Sequence, residues 1–202
     1  MKKQLLCAAT LAIAGLMTSS AFAQAAEGPW MVRVRAVHLD SANKDSTGLG
    51  LSVNNKTMPE LDISYFLSPN VAVELVLSVP QKHTLSSSVL GREIGTLKHL
   101  PPTLLAQYHF TGNSGFKPYV GAGVNYTRFS SVDLLGGGAD IDRNSFGAAL
   151  QVGVDIPLSG NMYLNFDVKK VYLGTDVTVA GADVGSFKVN PLLVGVGLGW
   201  RF

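Results

Sequence analysis

The chain has 202 residues, of which 47% are hydrophobic and 22 are glycine, and its formal net charge at pH 7 is +2. This near balance of charge excludes the strongly basic surface of a nucleic-acid-binding protein, so we expect no nucleic-acid partner. No segment after the N-terminal region has eighteen consecutive apolar residues, which excludes a transmembrane helix. The single cysteine, Cys7, excludes a disulfide framework.

The first 23 residues have the three parts of a secretory signal peptide. Lys2 and Lys3 supply positive charge, residues 5–17 are almost wholly apolar, and Ala21, Phe22 and Ala23 form a small-x-small cleavage site. The apolar run is too short to span a bilayer as a helix. We therefore expect residues 1–23 to be removed and residues 24–202 to form one secreted domain without cysteine.

Beyond the predicted cleavage site, segments of about ten residues alternate between bulky apolar and small or polar side chains. Alternate side chains of a strand point to opposite faces, so each segment predicts a strand with one bulky face. We predict eight strands, at residues 30–40, 58–67, 71–80, 98–110, 117–129, 144–156, 162–173 and 191–202. Their connections alternate between long and short, which is typical of an antiparallel up-and-down meander.

The last segment shows best which face meets which environment. Its large apolar side chains run from Leu192 to Phe202 on one face, whereas Gly195, Gly197 and Gly199 occupy the other. An edge strand of a soluble sandwich explains this segment alone, and a soluble lipocalin-like barrel also has eight strands, but it points its large side chains inward. Bulky side chains outside and small ones inside are the pattern of a transmembrane β-barrel.

We therefore predict an all-β fold, an eight-stranded antiparallel up-and-down transmembrane β-barrel in the bacterial outer membrane, surrounded by its lipid. Short turns of such barrels lie on the periplasmic side and long loops lie outside. Trp200 and Phe202 fall where an interfacial aromatic girdle belongs. We also interpret this C-terminal pair as an assembly signal for the barrel-assembly machinery.

The inward faces of the predicted strands carry charged residues toward the periplasmic end. They are Arg33, Arg35, Asp62, Glu74, Asp155 and Asp167. Eight strands enclose an interior just wide enough for side chains to fill, and charges there must be paired or hydrated. We therefore predict a salt-bridged plug in which Arg33 and Arg35 pair with Asp62 and Glu74.

The inward faces of the outer half are apolar, which is unusual for a water-filled pore. They carry Val37, Leu39, Val76, Pro101, Leu105, Val171 and Leu193. This pattern predicts an apolar funnel that is open to the outside and blocked below. Inward-facing glycines also leave space in the lumen. Either a ligand fills it, or the long side chains that reach across do, namely Arg33, Arg35, Phe66, Tyr163 and Lys169.

Three prolines lie near the outer ends of the third and fourth predicted strands. Pro80, Pro101 and Pro102 lack amide donors, and proline weakens a ladder where it sits. One interpretation is a lateral opening, in which the wall between strands three and four, or four and five, opens into lipid. The alternative is a strand end that frays into a loop.

Several segments resemble the OmpW family of outer-membrane proteins. They are residues 99–110 (HLPPTLLAQYHF), 117–127 (KPYVGAGVNYT), 151–155 (QVGVD), 167–172 (DVKKVY) and 199–202 (GWRF). The resemblance covers essentially the whole predicted mature chain. It implies an eight-stranded barrel with a hydrophobic lumen that helps small hydrophobic molecules to cross the outer membrane. The long loops resemble nothing specific, so no substrate preference is implied.

Three classes of function compete. The first is a channel for passive uptake of small hydrophobic molecules with lateral release, and the second is a structural or adhesive, stress-related barrel whose loops act as a surface receptor. The third is an enzyme, but no serine and acidic residue converge on His38, His83, His99 or His109, so we expect no catalytic residue. No spacing of metal ligands is present either, and we expect no metal and no cofactor.

Overall fold

The structure, a computed structural model, describes residues 28–112 and 115–202. The predicted signal peptide, residues 1–23, lies outside them. The strands of the described residues are β1 (Trp30–Asp40), β2 (Lys44–Asp45), β3 (Leu51–Val53), β4 (Lys56–Phe66), β5 (Val71–Ser78), β6 (Gln81–Ser87), β7 (Arg92–Leu100), β8 (Thr103–His109), β9 (Lys117–Leu134), β10 (Ala139–Ile141), β11 (Asn144–Ser159), β12 (Met162–Val171), β13 (Gly174–Val179), β14 (Ala182–Lys188) and β15 (Leu192–Arg201). Within the same residues, no helix is long and apolar enough to cross a membrane.

Eight of these strands form a closed antiparallel barrel, which confirms the predicted fold. Their order around the barrel is β1, β4, β5, β8, β9, β11, β12 and β15, and β15 pairs back to β1. At the lower end of this seam, Trp30 N donates to Phe202 O at 3.0 Å and Phe202 N donates to Trp30 O at 2.8 Å. Closure leaves the barrel without a free edge strand, which makes a sheet viable in lipid.

The outer surface of the barrel is apolar, as the alternation predicts. Val34 on β1, Val124 on β9 and Val194 on β15 are 48%, 61% and 50% exposed. Exposed aromatic side chains, among them Trp30 and Tyr65, collect near the short turns and form a girdle there. Toward the other end, the outward side chains become polar. His38, Arg128 and Asn144 mark this change.

The seam between β15 and β1 shows why small residues face inward. A Cβ built on Gly197 would lie 2.0 Å from the Val34 carbonyl oxygen and 2.7 Å from the Arg35 Cα. No side chain fits in that space, so glycine allows the two backbones to approach closely.

The predicted long loops are largely strands, which corrects the sequence interpretation. The sequence predicts a loop at residues 81–97, but β6 and β7 form a hairpin there, and β13 and β14 form another. β9 continues to Leu134 and pairs with β7. These strands lie beyond the outward Arg128, so they extend the wall above the membrane-spanning belt.

The fourth predicted strand, residues 98–110, is divided in two. β7 ends at Leu100 and β8 begins at Thr103, with Pro101 and Pro102 between them. Two consecutive residues without an amide hydrogen cannot donate to a neighbouring strand, so the ladder stops where they sit. β8 belongs to the barrel and β7 to the extension above it.

Candidate functional site

The lower lumen is filled by a network of buried charges around Arg33. Its Nε and Nη2 atoms donate to the two carboxylate oxygens of Asp155 at 3.1 and 2.6 Å. Its Nη1 donates to Glu74 Oε2 and to Ser64 Oγ, both at 2.9 Å. Arg33 is completely buried. A bidentate, charge-assisted pair of this kind fixes both partners in position.

Arg35, one inward position above Arg33, connects to a second set of carboxylates. Its Nη1 lies 2.8 Å from Asp62 Oδ2 and 3.2 Å from Glu60 Oε1. Lys169 of β12 places its Nζ 2.6 Å from the same Glu60 oxygen and 2.9 Å from Asp167 Oδ1. Charges from three strands, β1, β4 and β12, therefore meet across the lumen.

Neutral side chains join the two sets of charges. Tyr119 donates its hydroxyl to Asp167 Oδ2 at 2.8 Å, and Gln151 Nε2 donates to Glu74 Oε1 at 2.9 Å and to Asp167 Oδ2 at 2.8 Å. A Cβ on Gly153 would lie 2.3 Å from the Tyr119 ring, so this glycine makes room for it. In the lower half, the space left by inward glycines is taken by side chains.

The charged residues predicted for the plug all lie in this network, and Asp155 and Asp167 add further partners to the predicted pairs. The structure places Arg33 against Glu74 and Asp155, and Arg35 against Asp62. Sequence reasoning left out Glu60 and the bridging residues Tyr119 and Gln151. The alternation of side chains places these residues on the inward face, and that position could have identified them as lumen residues.

Above the plug, the lumen is apolar over a greater length than the sequence predicts. Of the residues predicted to line it, Val37, Leu39, Val76, Leu105, Val171 and Leu193 are buried in one apolar cluster. Pro101 is only half-buried and lies at the division between β7 and β8. The cluster continues upward through side chains of the strand extensions, among them Leu85, Leu97 and Phe187. We call this region the apolar canal.

The canal is largely filled by its own apolar side chains, whereas the sequence predicts an open funnel. Among the cavities that remain in it, two have a volume of about 20 Å³ each. One is lined by residues such as Leu51, Leu134 and Phe187, and the other by residues such as Leu39, His99 and Phe129. The strand extensions are the reason, since they bring apolar side chains over the mouth of the barrel.

The barrel wall has an interrupted ladder between two neighbouring strands, and all three predicted prolines lie in it. Val76 of β5 pairs with Thr103 of β8 below, and the next pair above is Gln81 of β6 with His99 of β7. No ladder pair among the described residues joins residues 77–80 to residues 100–102. At about 3.3 Å per residue, the break is roughly 13 to 16 Å long.

The wall on the other side of the same prolines is closed. Asn125 Nδ2 of β9 donates to the carbonyl oxygens of Pro101 and Pro102, both at 3.2 Å, and Tyr126 N donates to Pro102 O at 3.0 Å. The break therefore lies between the third predicted strand, which contains β5, continued by β6, and the fourth, which contains β8 and the end of β7. The Ser78 hydroxyl at its edge is buried and has no hydrogen-bond partner among the described residues.

Three of the four histidines lie in the lumen, in two separate places, and His38 is exposed on the outer wall. His83 and His99 stack on each other in the canal, with ring centroids 4.6 Å apart. His109 lies at the base, between Phe66 and Tyr119. In residues 28–112 and 115–202, no group of three or more His, Cys, Asp and Glu side chains is placed to hold a metal ion.

A closed eight-stranded barrel with an apolar outer belt, a charged plug and an apolar canal defines the class of outer-membrane β-barrel proteins. Comparison with known proteins identifies the family. The model of the OmpW family matches residues 26–202, and the chain belongs to this family.

Three relatives show how far the similarity extends. The outer-membrane protein y4mB of Sinorhizobium fredii is 40% identical over 206 residues, covering 95% of this chain and 90% of the relative. Outer membrane protein W of Vibrio cholerae is 35% identical over 220 residues, covering 99% and 100%. The dibenzothiophene metabolism operon protein PahQ of Pseudomonas aeruginosa is 28% identical over 194 residues, covering 88% and 90%.

The solved structure of the outer membrane protein OprG from Pseudomonas aeruginosa has the same architecture. It superposes with a TM-score of 0.75 at 27% identity, covering 87% of this chain and 97% of OprG. Together with the named relatives, this similarity places the chain in the bacterial outer membrane.

Proposed function

We propose that the protein is a conduit for passive uptake of small hydrophobic molecules, which enter the apolar canal from outside and leave sideways into the bilayer. The observation that carries the proposal is the break between Val76–Thr103 and Gln81–His99, which lies where the apolar canal meets the charged plug. A solute in the canal has lipid beside it at this level and buried charge beneath it.

The plug disfavours the axial route. Below Val76, the next inward residue of β5 is Glu74, whose carboxylate is completely buried and bound to Arg33. An apolar solute moving downward would have to separate these charges and leave them without partners, which costs several kcal/mol. Lateral exit requires no such separation, because the break has few backbone hydrogen bonds to disrupt.

The name of one relative supports the chemical class of solute. PahQ is named for a dibenzothiophene metabolism operon, and dibenzothiophene is an apolar aromatic molecule. The canal of this chain offers such a molecule aliphatic and aromatic contacts. Because the two cavities described above are only about 20 Å³ each, entry requires side chains of the strand extensions to move aside.

The proposal is tested by uptake of N-phenylnaphthylamine, whose fluorescence rises in an apolar environment, into Gram-negative cells without their own copy of the protein. Val76→Arg places a charge in the canal at the lower edge of the break and should abolish protein-dependent uptake. Ser130→Arg adds the same charge at an exposed position on the outer wall and should leave uptake unchanged. Equal uptake by the two variants would contradict a conduit through the canal.

The lateral step has its own test. Replacing Pro101 by Val and Pro102 by Thr restores two amide donors and allows the ladder between β5–β6 and β7–β8 to close. Uptake should fall while barrel folding is retained, as judged by the shift of the folded band on an unheated gel. Undiminished uptake in a correctly folded double variant would show that solutes leave by another route.

A second candidate function, a surface receptor without transport, is favoured by one observation. At the tip of the hairpin formed by β6 and β7, Val89 and Leu90 are 65% and 45% exposed. Exposed apolar side chains at a loop tip suit a contact with another surface. Replacing both by Ser should abolish attachment to host cells or phage if the tip is a receptor, and should leave solute uptake unchanged.

A further inference from the structure

A pair of stacked histidines gives the apolar canal a polar feature. The His83 and His99 rings are nearly parallel, with an interplanar angle of 21°, and the Phe129 ring meets His99 edge-on at 6.4 Å. Both histidines line the cavity that also contacts Leu39 and Val189. His99 pairs with Gln81 in the first ladder pair above the break, so the histidines lie at its upper edge.

The hydrogen-bond partner of His83 determines which of its nitrogens carries the proton. His83 Nδ1 lies 3.2 Å from the Asn54 carbonyl oxygen, which can only accept, so Nδ1 is the donor. In the neutral ring, Nε2 is then an acceptor. It is buried and has no hydrogen-bond partner among the described residues. A buried acceptor without a donor is destabilising, and its presence in an apolar canal requires an explanation.

The surroundings favour the neutral form of both rings. Burial lowers the pKa of His83, and it lowers the pKa of His99 to about 3, with the positive charges of His83 and Lys56 acting in the same direction. Both residues lie on the strand extensions, above the membrane-spanning belt. The lowered pKa favours the neutral His83 ring, in which Nε2 is the acceptor.

We propose that His83 Nε2 is the polar subsite of the canal and accepts a hydrogen bond from the hydroxyl of an otherwise apolar solute, an alcohol or a phenol. The inference rests on the proposed conduit and specifies its substrate class. The adjoining cavity of about 20 Å³ has the size of a single hydroxyl or water, so a bulky polar head does not fit. The apolar body of the solute contacts side chains such as Leu97 and Phe129.

The chemistry of the acceptor predicts discrimination between closely matched solutes. A phenol such as 1-naphthol donates through its hydroxyl, whereas 1-methoxynaphthalene has nearly the same shape and no donor. One hydrogen bond of ordinary strength corresponds to roughly 3- to 10-fold in relative occupancy. Protein-dependent uptake of 1-naphthol at low concentration should therefore exceed that of the ether by this factor.

The test compares wild type with His83→Phe, which keeps a flat ring beside His99 and removes the acceptor. His38→Phe is the matched control, because His38 is an exposed histidine on the outer face of β1. We expect His83→Phe to lower uptake of 1-naphthol to the level of the ether and to leave uptake of the ether unchanged. An unchanged ratio of the two solutes in folded His83→Phe would overturn the subsite.

A binding measurement separates this inference from the conduit itself. In the purified wild-type barrel in micelles, 1-naphthol should shift the ¹⁵N resonance of His83 Nε2, and 1-methoxynaphthalene should not. A shift without protein-dependent uptake of either solute would retain the subsite and reject the conduit. Absence of a shift at saturating 1-naphthol would reject the subsite, including the case in which a bound water satisfies Nε2.

Discussion

Two isosteric substitutions in the plug should have opposite consequences for the free energy of unfolding. The network contains three cations, Arg33, Arg35 and Lys169, and its five carboxylates are Glu60, Asp62, Glu74, Asp155 and Asp167, so it has a formal excess of two negative charges. In such a network, the carboxylates differ in how many hydrogen bonds they accept. Glu74 and Asp62 are the two extremes.

Glu74 accepts from Arg33 at 2.9 Å, from Ser64 at 3.1 Å and from Gln151 at 2.9 Å. In Glu74→Gln, the new amide presents donors to other donors and leaves Arg33 less compensated. Removing one partner of a buried pair costs about 3–5 kcal/mol. Unfolding of this variant in urea should therefore begin at clearly lower concentration than unfolding of the wild type.

Asp62 has no aligned hydrogen-bond donor among the described residues, although Arg35 Nη1 lies 2.8 Å from one of its oxygens. Asp62→Asn removes one of the two excess negative charges and breaks no aligned hydrogen bond. We expect the free energy of unfolding to change by no more than about 1 kcal/mol. The assay is urea unfolding of the barrel in lipid vesicles at pH 7, followed by tryptophan fluorescence. If Asp62→Asn destabilised the barrel as much as Glu74→Gln, the description of the plug as a charge-imbalanced network would be wrong.

Two further predictions concern the seam and the histidine pair. Gly197→Ala should prevent closure of β15 on β1, because its Cβ would lie 2.0 Å from the Val34 carbonyl oxygen. Gly115→Ala should fold normally, because a Cβ at that position has no atom within 4 Å. The folded band on an unheated gel measures the folding of both variants. The pKa of His99 is lowered to about 3, below its unfolded value, so the unfolded chain binds a proton first and stability should fall as pH decreases from about 6.5 toward 3. His99→Phe should reduce this pH dependence in urea unfolding at pH 7 and pH 5, and an unchanged slope would contradict the lowered pKa.

The alternation of side chains predicts the barrel and its sidedness because period two is a local property of each strand. The same alternation does not predict which residues pair across the lumen. Arg33 meets Asp155, which is 122 residues away, because strand tilt and shear bring those two heights together, and neither quantity is visible in any single strand. Glu60 and Lys169 face inward in the same alternation, but their meeting depends on the same shear. Segments such as residues 174–190, which contain β13 and β14, could form loops or extend strands beyond the membrane, and their polar, glycine-containing sequence does not decide between the two.

The arrangement of the lumen links the plug to the proposed lateral route. On β5, Glu74 and Val76 are consecutive inward residues, about 7 Å apart along the strand, so the lumen changes from buried charge to apolar surface within one step. The ladder break begins directly above Val76, and the stacked histidines lie at its upper end. A solute that leaves the apolar canal downward meets charges whose separation is costly, whereas a solute that leaves through the break passes from one apolar environment to another. For a passive conduit, the plug and the break therefore act together, because a barrel whose charges were replaced by apolar residues would no longer favour the lateral exit over the axial one.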